Sequence, residues 1–219
     1  KIAEHLHSVS TSLIAGDFKN FDGRYHPRFQ RKAYEILFRL NDGVSTPAEN
    51  HYMFQHDAFE PMVQFGKVLV SFETLHCSGL VFTTIINNIV NELYARYCFS
   101  LLNPGKKFSK YMALKVYGDD HIIAVKQDPE IRFTPFLYRD ELTKIGQEYT
   151  SDVKNAPLTN EFRTLDQVTF LGCHPIQGAD GLWHGAPKKS QLWQTPQYSR
   201  NNSASLMGDV AEMTQLASL

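Results

Sequence analysis

Two short apolar segments joined by a glycine-containing turn constrain the fold of this chain more than any other feature. Tyr111–Val116 and His121–Val125 have the length and the apolar, β-branched character of strands. The connection between them is Tyr117-Gly118-Asp119-Asp120, and a glycine in so short a connection is typical of a hairpin. We therefore predict an antiparallel hairpin that carries two adjacent acids at its tip.

The segments around this hairpin predict both helices and strands. A strand is predicted over Thr11–Phe18, and a helix after Pro27, where apolar side chains recur every three or four residues. The apolar run from Ser78 to about Phe99 is too long for a strand and predicts a buried helix. Further predicted elements are a strand over Val68–Phe72, a helix over Pro135–Gln147, a hairpin formed by Val168–Cys173 and Gly181–His184, and a helix from Ser203 onward. This order predicts an α+β fold, an antiparallel sheet with helices packed on one side.

Composition restricts the classes of protein that remain. The chain has 219 residues, 42% of them hydrophobic and 21% charged, as in an ordinary globular domain. Its formal net charge of −1 argues weakly against nucleic-acid binding, unless basic parts lie outside this sequence. Three cysteines without a Cys-x-x-Cys pair indicate neither a disulfide framework nor a zinc ribbon. No apolar stretch is long enough to span a bilayer, and the start at Lys1 suggests a piece of a longer protein.

The acids at the hairpin tip suggest a metal site. Asp119 and Asp120 repel each other as neighbouring like charges, and a divalent cation with a preference for oxygen ligands would reverse that cost. Asp17 ends a predicted strand, so all three carboxylates meet at one sheet edge if that strand lies beside the hairpin. Such an arrangement can hold two metal ions ~4 Å apart. Taken alone, however, a Gly-Asp-Asp turn is more often merely solvated.

Polar residues in the predicted buried helix are a second indication of function. Ser78 and Gly79 precede the helix, whereas Thr83 and Asn87 lie inside an otherwise apolar segment. Buried polar groups require hydrogen-bond partners. Local bonding within the helix and participation in a binding site are both compatible with this pattern.

Taken in order, these segments resemble the palm motifs of picorna-like viral RNA-dependent RNA polymerases. The resembling segments are Asp17-Phe18-Lys19-Asn20-Phe21-Asp22-Gly23 for motif A, Ser78-Gly79 with Thr83 and Asn87 for motif B, Tyr117-Gly118-Asp119-Asp120 for motif C, Lys154 for motif D and Phe170-Leu171-Gly172 for motif E. Motifs A, B and C are specific together, whereas D and E are weak. The resemblance extends from Asp17 to about Ser199. It implies a polymerase palm over residues 1–185, including part of the fingers between motifs A and B, and the start of the thumb over residues 186–219.

The resemblance also implies a role for each matching residue. Asp17 and Asp119 would be the principal ligands of two Mg²⁺ ions, with Mn²⁺ as an alternative, and Asp120 would support them. Lys154 would be the general acid for the leaving pyrophosphate. The residues implied in recognition of the ribose 2′-hydroxyl and the template are Asp22, Ser78, Gly79, Thr83 and Asn87.

The same resemblance predicts partners and surroundings. The expected partners are an RNA template and primer, ribonucleoside triphosphates, a protein primer and other viral replication proteins. The expected location is the host cytoplasm, at membrane-associated replication complexes. The chain departs from the family where no basic finger motif precedes Asp17 and where Gly172-Cys173 replaces the usual basic residue of motif E. We therefore expect the isolated chain to have little polymerase activity.

Two alternatives have different sequence signatures. A reverse transcriptase shares the palm but typically has a bulky aromatic residue at the position of Asp22. A degenerate palm that serves as a scaffold or interaction module would be indicated by loss of a metal-binding carboxylate. Asp17, Asp119 and Asp120 are all present.

Overall fold

The computed structural model describes residues 1–40, 46, 48–49, 61–72, 82–153 and 155–187. The helices are α1 (Ile2–His7), α2 (Pro27–Leu40), α3 (Thr83–Leu102), α4 (Phe108–Tyr111) and α5 (Pro135–Lys144). The strands are β1 (Leu13–Phe18), β2 (Met62–Phe65), β3 (Val68–Ser71), β4 (Met112–Tyr117), β5 (Asp120–Val125), β6 (Tyr149–Ser151), β7 (Cys173–Gln177) and β8 (Trp183–Pro187). A short 3₁₀ helix spans Leu165–Gln167.

A four-stranded antiparallel sheet in the order β4-β5-β1-β6 forms the centre of the fold. The hairpin predicted around the glycine is β4–β5, and Tyr117 pairs with Asp120 at its end. On one side β1 pairs with β5, placing Gly16 opposite His121. On the other side β1 pairs with β6. The strand that carries Asp17 therefore does lie beside the hairpin.

The sheet is covered on both faces, which corrects the prediction of helices on one side only. Ile14, Phe18 and Ile123 belong to the larger core, which contains buried residues of α2, α3 and α5. The opposite face of the sheet packs in a second core, whose members include Leu13, Ala15, Ile122 and Ala124 of the sheet, Ala3 and Leu6 of α1, and Leu165 and Val168. Because successive residues of β1 and β5 are apolar, both faces of these strands require cover.

Helix α3 overlaps the long apolar run that predicted a buried helix, but only one of its faces is buried. Its buried side chains are Ile86, Asn87, Val90, Asn91, Tyr94, Ala95, Cys98 and Phe99. Its C-cap, Asn103, is also buried and joins the helix to the following loop, because its side chain binds both the carbonyl and the amide of Arg132. Neither this 20-residue helix nor any other in the described ranges is long and apolar enough to cross a membrane.

The second predicted hairpin and the helix predicted from Pro135 have different boundaries in the structure. The second hairpin pairs Cys173–Gln177 with Trp183–Pro187, not Val168–Cys173 with Gly181–His184. A tight turn separates Val168 from the strand, since Leu171 and Gly172 adopt φ angles of 53° and 74°. The helix predicted over Pro135–Gln147 ends at Lys144, close to the left-handed Gly146 with φ 81°. The helix predicted from Ser203 lies outside the described residues.

Gly16 permits the close approach of β6 to β1 immediately before Asp17. A Cβ at this position would lie 2.3 Å from Cζ of Tyr149 and 2.6 Å from the carbonyl oxygen of Thr150. We expect Gly16→Ala to lower the free energy of unfolding by about 1–3 kcal/mol, the usual cost of overpacking. Thermal and denaturant unfolding of the intact protein measure this effect. A suitable control is Gly185→Ala, whose Cβ would lie 3.4 Å from Cβ of Cys173; equal losses in both variants would contradict the explanation.

Candidate active site

Three carboxylates lie at one edge of the central sheet, and we call Asp17, Asp119 and Asp120 the acidic edge. The pairing of Gly16 with His121 places Asp17 next to Asp120 in the β1–β5 register. Asp119 occupies the loop that connects β4 to β5. Asp17 and Asp119 are exposed, and Asp120 is half-buried. The sheet topology thus brings together the three acids that were predicted to meet.

The electrostatics of the acidic edge favour a cation. Burial raises the pKa of Asp120, and the negative charges of Asp119, Asp17 and Asp152 raise it further. The amide of Leu171 acts in the opposite direction by donating a hydrogen bond to Oδ2 of Asp120 at 2.5 Å. Carboxylate oxygens are the ligands that Mg²⁺ prefers, so the donor chemistry fits a hard divalent ion.

The three carboxylates do not form a closed metal cage as they stand. Within the described ranges, no group of three or more His, Cys, Asp or Glu side chains is arranged to hold a metal ion. One carboxylate oxygen of Asp120 accepts a hydrogen bond from the amide of Leu171, and neighbouring carboxylates repel one another. The site therefore suits a divalent cation by the type and charge of its ligands, and not by a preformed coordination geometry.

The loop that carries Asp119 is anchored by two asparagines of α3. The amide of Gly118 donates to Oδ1 of Asn88 at 2.6 Å. Nδ2 of Asn91 donates to the carbonyl oxygens of Gly118, at 3.2 Å, and Asp119, at 3.0 Å. Neither asparagine was predicted as a site residue. The sequence feature that could have identified them is the recurrence of asparagine in an apolar helix. Of these asparagines, only Asn87 was interpreted as a site residue.

A second polar cluster joins the segment after β1 to α3. Nδ2 of Asn87 donates to Oδ1 of Asp22 at 2.8 Å, and the hydroxyl of Tyr25 donates to Oδ1 of Asn87. An ionised carboxylate only accepts hydrogen bonds, so Asp22 fixes the orientation of the Asn87 amide. Burial and then the charge of Asp22 raise the pKa of Tyr25 well above its ordinary value, which keeps the hydroxyl protonated as a donor. Tyr25 was not predicted.

The remaining predicted site residues are less informative. Thr83 is the first residue of α3. Ser78, Gly79 and Lys154 lie outside the described residues. The segment Phe170-Leu171-Gly172 does reach the acidic edge, but it does so through the backbone amide of Leu171.

An ion pair beneath the acidic edge ties three parts of the chain together. Asp152, whose side chain is only 6% exposed, pairs with Arg163 at 2.7 Å. Its other oxygen accepts a hydrogen bond from the amide of Thr169 at 3.1 Å. Arg163 also donates to the carbonyl of Ala15 at 2.6 Å. The pair compensates the charge of Asp152 and connects β1 to the segment that leads to Leu171.

Comparison with known proteins gives a family match over the whole chain. The model of the family described as viral RNA-dependent RNA polymerase matches residues 1–219. The RNA1 polyprotein of broad bean wilt virus 1 (strain Spinach/United States/ATCC PV-132/1963) is 28% identical over 200 residues, covering 88% of this chain and 11% of the polyprotein. The RNA1 polyprotein of Cycas necrotic stunt virus is 32% identical over 177 residues, covering 77% of this chain and 7% of the polyprotein.

An insect virus protein is similar over much of the same region. The replicase polyprotein of acute bee paralysis virus (strain Rothamsted) is 24% identical over 185 residues, covering 78% of this chain and 10% of the polyprotein. The chain thus spans only 7 to 11% of the length of these three relatives.

Proposed function

Because the chain belongs to the viral RNA-dependent RNA polymerases, in the picorna-like palm region that its motifs predicted, we propose that it forms the catalytic core of an enzyme that copies RNA from an RNA template. In this role it replicates a positive-strand viral genome. The observation that carries the proposal is the convergence of Asp17, Asp119 and Asp120 at one sheet edge. We further propose that the enzyme acts in the host cytoplasm at membrane-associated replication complexes.

The proposed division into domains follows the motifs. Residues 1–185 form the palm, with part of the fingers between motifs A and B, and residues 186–219 begin the thumb. In support, the β2–β3 hairpin lies between these motifs in sequence, and its strands belong to a separate two-stranded sheet. Its large apolar side chains, among them Met62, Phe65 and Val68, are exposed instead of contributing to either palm core.

Asp17 and Asp119 would hold two divalent ions, with Asp120 in support. Bound Mg²⁺, or Mn²⁺ in its place, would supply a lowered pKa at the primer 3′-hydroxyl and countercharge for the triphosphate. The contribution of the chain is to fix its carboxylates before substrate arrives. Paired strands hold Asp17 and Asp120, and helix α3 holds the loop of Asp119. Lys154 would protonate the leaving pyrophosphate.

Asp22 and Asn87 would recognise the ribose of the incoming ribonucleoside triphosphate. The Asp22 carboxylate accepts a hydrogen bond from Asn87, and a carboxylate has enough acceptor sites to accept one from a 2′-hydroxyl as well. A hydroxyl at that position distinguishes RNA precursors from DNA precursors. Ser78 would assist at the sugar, Gly79 would let the template backbone approach closely, and Thr83 would belong to the same substrate-binding set. A protein primer and other replication proteins remain proposed partners of the whole enzyme.

The two alternatives are less well supported. A reverse transcriptase would be expected to have a bulky aromatic residue in place of Asp22, and the matched family copies RNA into RNA. A scaffold would have no need for three carboxylates at one sheet edge, where burial and then the charges of neighbouring acids, Asp119 and Asp17 among them, raise the pKa of Asp120. The chemistry of the site therefore favours an enzyme.

The test is templated nucleotide incorporation by the full-length polymerase that contains this chain. With a primed RNA template and Mg²⁺, we expect ribonucleotides to be incorporated far more efficiently than deoxyribonucleotides. Chelation of the metal should stop synthesis, and restoring Mg²⁺ should recover it. Preferential incorporation of deoxyribonucleotides on an RNA template would instead favour a reverse transcriptase. RNA binding without any incorporation would favour a scaffold.

A further inference from the structure

We propose that Asn91 and Asn88 are positioning residues that orient the Asp119 carboxylate for the metal, an inference that rests on the proposed function. Neither side chain need touch substrate or a reacting atom. They act on the backbone of the loop Gly118–Asp119, and through it on the direction in which the Asp119 side chain points.

The contacts define a clamp with one donor and one acceptor side chain. Asn88 accepts a hydrogen bond from the amide of Gly118 at 2.6 Å, while Asn91 donates to the carbonyls of both Gly118 and Asp119. Residues three apart lie on the same side of a helix, so both amides reach the loop from one surface of α3. Three backbone groups of a two-residue loop are thereby fixed to a long, buried helix.

Fold stability alone does not explain Asn91. Its side chain is fully buried, and its Oδ1 atom lacks a hydrogen-bond partner within the described part of the chain. Burial of an incompletely bonded amide is unfavourable, so an apolar residue would stabilise the core around α3 more than Asn91 does. Its two hydrogen bonds to the backbone of the Asp119 loop explain why an asparagine occupies this buried position.

The geometry of a metal ligand is demanding enough for such a clamp to matter. Functional side chains must be held within about 0.5 Å of their productive positions. Asp119 is exposed, so packing of its own side chain does little to fix it. The loop conformation is then the main determinant of where the carboxylate lies, and α3 sets that conformation.

Variants of the full-length polymerase test the inference through metal affinity. Asn91→Ala and Asn88→Ala remove the two sides of the clamp, and Asn103→Ala is the matched control. Asn103 is also buried, belongs to the C-cap of the same helix, and bonds backbone groups of Arg132, away from the acidic edge. Mn²⁺ binding is measured by electron paramagnetic resonance, Asp119→Asn identifies the signal that belongs to this site, and thermal unfolding is measured in parallel.

We expect each clamp variant to weaken Mn²⁺ binding by about tenfold or more, as for other residues that orient metal ligands. The double variant should lose less than the product of the two single losses, because both residues act on one loop. Asn103→Ala should lower the melting temperature and leave Mn²⁺ affinity within about twofold of wild type, consistent with a distant site. Asn88, which is half-buried, provides the test if Asn91→Ala does not fold.

Three outcomes separate this inference from the proposed function. Mn²⁺ affinity that changes no more in the clamp variants than in Asn103→Ala overturns the inference and leaves the polymerase proposal intact. Absence of any Asp119-dependent Mn²⁺ signal in the wild type overturns both the metal assignment and the clamp. Clamp-dependent Mn²⁺ binding in a protein that makes no RNA supports the clamp and overturns the proposed function.

Discussion

Replacement of Asp119 by asparagine in the full-length polymerase is expected to remove nearly all RNA synthesis while leaving the fold intact. The substitution preserves side-chain size and removes the negative charge that a divalent ion requires. The interactions that anchor the loop use the carbonyl of Asp119 and both backbone groups of Gly118, and none of these is altered. We expect kcat to fall by at least on the order of 10³-fold, comparable with removal of other preorganised charge-stabilising groups.

Single-nucleotide primer extension and thermal unfolding together measure this effect. The control is Asp166→Asn, because Asp166 is an exposed acid of the 3₁₀ helix and not a member of the acidic edge. It should retain nearly full activity. A kcat for Asp119→Asn close to that of the control would show that the charge of Asp119 is not required for catalysis. A lost activity accompanied by a large fall in melting temperature would show that Asp119 serves the fold instead.

The parts of the fold that were predictable are those that depend on local pattern. The β4–β5 hairpin followed from the two short apolar runs on either side of Gly118, whose φ of 67° is favourable for glycine. Helix α3 followed from the length of its apolar run. The prediction that Asp17 lies near Asp119 and Asp120 required β1 to lie beside the hairpin, and the sheet order β4-β5-β1-β6 places it there. The resemblance implied that Asp22 and Asn87 belong to one recognition site, and a hydrogen bond joins the two residues.

The contacts that were missed depend on tertiary arrangement. Sequence periodicity indicates which face of α3 is buried, but not that Asn88 and Asn91 meet the loop of Asp119. Likewise, nothing in the sequence around Tyr25 indicates that its hydroxyl reaches Asn87, 62 residues away. Helix α1 is only six residues long, too short for a periodic signal, and its cover of the second sheet face was missed. Leu171 adopts a φ of 53°, a conformation that leucine rarely takes, so the turn before β7 was not foreseen.

Sugar discrimination is expected to weaken when the Asp22–Asn87 pair is broken. Asp22→Ala removes the acceptor proposed for the 2′-hydroxyl, and Asn87→Ala removes the amide that orients it. A site built to bind a hydroxyl rejects the analogue that lacks it, and a hydrogen bond to a charged group is worth about 1.5–3 kcal/mol. We therefore expect the ratio of kcat/KM for ribonucleotides over deoxyribonucleotides to fall by about 10- to 100-fold in either variant.

Tyr25→Phe separates orientation of the amide from direct contact with the sugar. It removes the hydroxyl that donates to Asn87 and keeps the buried ring, so a smaller fall in the same ratio is expected. Tyr94→Phe is the matched control, since Tyr94 is buried in the same core and its hydroxyl accepts a hydrogen bond from the amide of His26 instead. Both variants lose a buried hydroxyl, and only Tyr25→Phe should change sugar preference.

The competing explanation is that Asp22, Asn87 and Tyr25 stabilise the junction between β1 and α3 without contacting the nucleotide. Asn87 and Tyr25 are buried, so some loss of melting temperature is expected under either explanation. Stability alone cannot decide between them. The deciding quantity is the ratio of kcat/KM for the two sugars, compared at equal fractions of folded enzyme. A lowered melting temperature with an unchanged ratio in all three variants would assign the cluster to the fold. A ratio that falls in Asp22→Ala, Asn87→Ala and Tyr25→Phe, and stays constant in Tyr94→Phe, would assign it to recognition of the ribose.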